Sequence, residues 1–179
     1  MCFEVIANEK DTVSMVDDEE TITAYHEAGH AVIGFLLGGQ IESVGLYAEA
    51  DEWLPERFGD CHVNWGRVDA NANEQIEREV LTVLAGPVAE MIYTQEEMHP
   101  ADNPTWAHDW NLADQLCRRM LPDPYSRQTF LTAALMVLRD QIWRDQCWAA
   151  IAAVADELLA HESLDADQLS ETLRFWTTR

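Results

Sequence analysis

His26, Glu27 and His30 stand together in the segment HEAGH, an HExxH pattern. Two imidazoles four residues apart on one helix turn their nitrogens toward the same point. A borderline cation such as zinc, with ligand distances of about 2 Å, needs that convergence. A glutamate directly after the first histidine lies beside such an ion rather than on it, close enough to take a proton from a zinc-bound water. The pattern predicts a divalent metal centre, zinc by preference, with His26 and His30 as ligands and Glu27 as the base of a hydrolysis.

Two imidazoles leave the ion short of the three protein ligands of a catalytic zinc site. A carboxylate as the third keeps the site net positive and preserves its Lewis acidity. Downstream, Asp109 and Glu90 qualify, with His108 and Asp114 behind them. The residues alone leave this choice open, because Asp109 opens a helix after a Pro-containing loop, where a carboxylate also serves as an N-cap.

Several elements must hold these groups. The run Asp17 to Glu20 suits a helix N-terminus, and Ile22, Tyr25, Gly29, Val32, Ile33 and Leu36 recur at helical spacing up to the stop at Gly38-Gly39. Residues 1–20 read as an acidic extension and 21–179 as a single domain. Short strands are expected over 41–48 and 61–68, with a loop carrying Pro55 and Gly59 between them. Asn71 to Asn73 offer caps for a helix whose stripe is Ile76, Val80, Leu84, Val88 and Met91; its Gly86-Pro87 pair marks a bend or a close packing point. A helix over 106–120 ends at Pro122 and Pro124, and 126–161 forms two packed helices or one long bent one. A last helix, capped near Ser163 or Asp165, turns Leu169, Leu173 and Trp176 inward. The fold class is therefore mainly α (α+β), with a small two- or three-stranded sheet. Trp143, Trp148 and Trp176 read as core first and as an oligomer face second, and His62, His99 and His161 as surface histidines.

The 179 residues, 47% of them apolar, suffice for a core without disulfides. The formal charge is −22, from 33 acids against 11 bases, with Lys10 the one lysine. Such a field repels nucleic acid and anionic membrane surfaces and draws in cationic peptides, besides keeping the chain soluble. Cys2, Cys61, Cys117 and Cys147 form no CxxC pair and follow no secretory segment, so free thiols and a cytoplasmic location are expected. The longest apolar stretch, 31–37, is too short for membrane insertion.

Four strings, TAYHEAGHAVIGFLL at 23–37, LAGPVAE at 84–90, HDWNLADQL from His108 and HESLDADQL from His161, together resemble the peptidase domain of the FtsH-type AAA zinc proteases. The likeness runs from about Thr21 to Leu173. It implies a helical zincin-like domain whose third zinc ligand is Asp109, with Glu90 behind the metal site or packing beside it. It also implies hexameric rings, so a homo-oligomer or a separate ATPase partner is expected. The chain departs from the family at Pro87, which stands where the family has arginine, and at Trp106-Ala107-His108 before Asp109. It also lacks a GxxxxGK[ST] phosphate loop. The expected function is an ATP-independent zinc metallopeptidase acting on peptides or unfolded segments. The alternative is a non-catalytic binding or regulatory module that keeps the fold and the metal.

Overall fold

The computed structural model describes residues 9–47, 58–70 and 72–177. Cys2, the loop around Pro55 and Asn71 lie outside the described residues. The fold is mainly helical, with six α-helices and a three-stranded antiparallel sheet among those residues.

Helix α1 (Glu9–Leu36) begins well before the acidic run that was expected to open it. No Gly or Pro interrupts the chain between Glu9 and Glu20, so nothing there stops the helix. It ends as expected: Gly38 takes φ +92, its N–H donates to the Phe35 carbonyl at 3.0 Å, and that of Gly39 to Gly34 at 2.9 Å.

Strands β1 (Gln40–Tyr47) and β2 (Phe58–Asn64) follow, paired antiparallel with Val44 opposite Cys61 and an irregularity between Ile41 and Ser43. β2 begins at Phe58, so Gly59 lies in the strand rather than in the loop before it, and it stops at Asn64 rather than reaching Val68. A third strand, β3 (Ser163–Asp165), pairs with the other side of β1 through Val44 and Leu164. Three residues are too few to show a period. The order β2-β1-β3 leaves β2 at an edge, uncovered by any other described strand.

Helix α2 (Asn73–Thr94) lies against α1, with Ile76, Val80, Leu84 and Val88 in the core. Its N-cap is Ala72, which makes no side-chain cap bond, and Asn73 is its first helical residue. Pro87 sits inside an unbroken helix, at a point of close packing rather than at a break. A Cβ on Gly29 would lie 2.6 Å from the Ala85 carbonyl oxygen and 2.7 Å from the Ala89 Cβ, so α1 and α2 cross nearly backbone to backbone.

A 3₁₀ turn (Pro104–Trp106), with Trp106 1% exposed, leads into α3 (Ala107–Arg118). Pro124 does not end this helix; it opens α4 (Pro124–Ile142) at the first turn, where a missing N–H is harmless, and Asp123 caps it by accepting from the Ser126 N–H at 2.8 Å. The 126–161 stretch resolves into α4 and α5 (Asp145–His161), and Asp165 caps α6 (Ala166–Thr177). Trp143 departs from the core reading: 67% exposed, it follows Ile142 at the end of α4 and falls off the buried stripe of Leu131, Ala134, Leu138 and Ile142. Trp148 and Trp176 are half-buried, and Trp148 stacks on Tyr25 at 5.4 Å. His99 is half-buried too, edge-on to Trp110 at 4.9 Å, while His62 and His161 are exposed. No described helix is long and apolar enough to cross a membrane.

Candidate metal centre

The helical turn from His26 to His30 sets the two rings edge to face, with centroids 4.8 Å apart. Each ring is fixed from behind by α2. The Nδ1–H of His30 donates to the Thr82 backbone carbonyl at 2.8 Å, and the Nδ1–H of His26 donates to Glu90 Oε2 at 2.9 Å. Those bonds commit Nδ1 as donor on both rings and leave the two Nε2 atoms to face forward.

Asp109, in the first turn of α3, stands in front of them. Its Oδ2 is 3.2 Å from His26 Nε2, and its Oδ1 is 4.0 Å from His30 Nε2. The side chains of His26, His30 and Asp109 are 13%, 12% and 15% exposed, so the cluster is nearly withdrawn from water yet reachable from one side. Glu27 shares the cluster: one ligand atom from each of His26, Glu27 and His30 lies within 4.8 Å of the others. Two imidazole nitrogens and a carboxylate converging this way form the donor set that zinc takes in hydrolytic sites. The residues present therefore fit a divalent ion.

Glu90 and Asp109, the two competing carboxylates, occupy opposite sides of the His26 ring, Glu90 at Nδ1 and Asp109 at Nε2. His108 is exposed beside Asp109. Asp114 belongs elsewhere, bonded to Arg127 at 2.8 Å and to Arg118 at 2.7 Å.

The electrostatics follow from this crowding. Burial works against charge on His26, but the hydrogen bonds to Asp109 and Glu90 and the nearby Glu27 charge outweigh it, raising its pKa to about 10. Burial and the His26 charge push His30 down to about 4. Burial alone would raise the Asp109 carboxyl; the His26 hydrogen bond and the histidine charges overcome it and hold it below the usual range. Glu27, 6% exposed, is pushed up to about 7 by burial first, and by the charges of Asp109, Asp60 and Glu90 against the opposing pull of His26.

Three contributors escaped the sequence reading. Thr82 acts through its backbone carbonyl, which leaves no side-chain signature. Gly86 packs where a Cβ would run into His30 and come within 2.7 Å of His26 Cδ2; the Gly-Pro pair was its only signal. Gly59 of β2 lies against the base, since a Cβ there would be 2.5 Å from Glu27 Cγ and 2.6 Å from its Oε1.

No family model matches the chain. Over 121 residues it is 29% identical to the ATP-dependent zinc metalloprotease FtsH of Haemophilus influenzae, a stretch covering 63% of this chain and 17% of that protein. The chain thus spans well under a fifth of that relative's length. The likeness supports an FtsH-related peptidase region, and the His26, Glu27 and His30 group on α1 is compatible with a zinc ion.

Proposed function

We propose that this chain is a zinc-dependent metallopeptidase that hydrolyses peptide bonds in peptides or unfolded protein segments. The observation that carries the reading is the convergence of His26 Nε2, His30 Nε2 and the Asp109 carboxylate beside a buried Glu27. His26, His30 and Asp109 would hold the ion. Bound there, zinc supplies Lewis acidity toward a carbonyl oxygen and lowers the pKa of water toward neutrality. Glu90 and the Thr82 carbonyl hold both rings with Nε2 aimed forward. Glu27, its carboxyl raised to about 7, accepts the proton of the attacking water near neutral pH and returns it to the departing amine. The edge of β2 that pairs with no other described strand, and whose Gly59 lies against Glu27, offers backbone groups to an extended substrate.

The test pairs metal analysis with turnover. Purified protein should bind about one zinc per chain and cut an unstructured fluorogenic peptide without ATP. Glu27→Gln should keep the metal and lose about 10³-fold or more in kcat. Turnover that survives in that variant would refute the mechanism. Full zinc occupancy with no cleavage across a broad peptide library would instead support the non-catalytic binding module.

A further inference from the structure

We infer that this site takes cationic substrates: peptide segments that set an arginine or lysine against Asp60 on the outward face of β2. The inference rests on the peptidase reading and adds the chemistry of recognition to it.

Along β2, side chains alternate between faces. Gly59, Cys61 and Val63 turn inward: Gly59 lies against Glu27, Val63 lies against Gly34 and Gly39 of the α1–β1 corner, and burial and the Glu27 charge raise the Cys61 thiol pKa. Asp60, His62 and Asn64 turn outward, with the Asp60 and His62 side chains 29% and 64% exposed. A chain added to the edge of β2 alternates in step, so every second side chain comes to lie beside Asp60 or His62.

Two independent observations give those positions a sign. First, the Asp60 carboxylate already accepts a donor on this face, the His62 ring, with Nε2 at 3.0 Å from Oδ2. A flexible guanidinium or ammonium on a docked strand can compete for the same carboxylate, and guanidinium does so with a matching fork of donors. Second, the three described strands carry no lysine or arginine to repel a cation. The segments Gln40–Tyr47, Phe58–Asn64 and Ser163–Asp165 contain no Lys or Arg, and α1 contributes only Lys10, at its far end. Across the sheet the outward residues add Glu42 and Asp165. With a net charge of −22, the whole surface steers the same kind of peptide toward this cleft.

The experiment uses three fluorogenic peptides identical at the cleaved bond and flanked by Arg, Gln or Glu. With zinc-loaded protein, kcat/KM should rank Arg above Gln above Glu. The span should be about 100-fold at low salt and shrink to within about 5-fold near 1 M NaCl. Asp60→Asn should reduce the Arg-to-Gln ratio by about 3- to 10-fold, a ratio in which any effect of the lost charge on Glu27 cancels because both peptides meet the same base. The same ranking should appear in binding to zinc-loaded Glu27→Gln, followed by fluorescence anisotropy. Equal cleavage of all three peptides, or a ranking indifferent to salt and to Asp60, overturns the inference and leaves the peptidase reading standing. The ranking in binding without cleavage by wild type does the reverse. Neither binding nor cleavage overturns both.

Discussion

At Gly86 the place of a side chain is taken by two imidazole rings. Gly86→Ala should therefore push His30 aside and weaken zinc binding by about 10- to 100-fold, a loss comparable with that of a partner behind a metal ligand. The fold should survive, since alanine favours a helix over glycine by about 1 kcal/mol. Zinc titration against a chromophoric chelator, alongside circular dichroism, separates the two effects. Glu90→Leu should weaken zinc through a different route, by releasing the His26 ring from its 2.9 Å bond, and the same titration reads it. Much of this was legible in the residues. His26, Glu27 and His30 are placed by helical spacing alone, which is why they could be named together. The choice between Asp109 and Glu90 could not be read that way, because both are carboxylates and the difference lies in which nitrogen of one ring each faces. Thr82 and Gly59 were illegible for a simpler reason: one acts through its backbone and the other through having no side chain.

Between elements, α3 and α4 are joined by one polar contact of consequence. Arg127, 9% exposed, donates to Asp114 and to the carbonyls of Leu121 and Pro122 that link the two helices. Asp114→Ala should cost about 1–2 kcal/mol, at the lower end because its own side chain reaches solvent. The Arg127 hydrogen bond first, then Arg118, holds the Asp114 carboxyl below its ordinary value of 3.8. Its contribution is thus fully present above about pH 4 and disappears as pH falls through the depressed folded value. Thermal melts in acid should show the variant and wild type drawing together below pH 3.8. The helices were readable because their apolar positions repeat over several turns. Strand β3 has too few residues to repeat anything, the start of α1 carries no stop signal, and Trp143 lies just beyond a stripe whose period ended at Ile142.

The molecule as a whole carries three acids for each base, 33 against 11, and such a shell repels itself when folded. Raising NaCl from about 0.01 to about 0.5 M should increase Tm by on the order of 5 °C, read by scanning calorimetry on the metal-free protein. Composition made that charge plain from the start, whereas nothing in it said which surface would stay apolar. An open hollow of about 420 Å³ between α2 and α4 is walled by Val88, Met91, Ile92, Leu135 and Trp143, and neither His26 nor His30 lines it. The centre itself gathers groups from distant parts of the chain: two rings on α1, their supports on α2 and a carboxylate on α3. Only Ala113 and Cys117 of α3 are fully buried, so that helix has little apolar grip of its own. An ion shared between His26, His30 and Asp109 would act as a clasp on α3. Stripping it with a chelator should speed amide exchange and protease nicking there first, while the α1–α2 crossing at Gly29 stays shut.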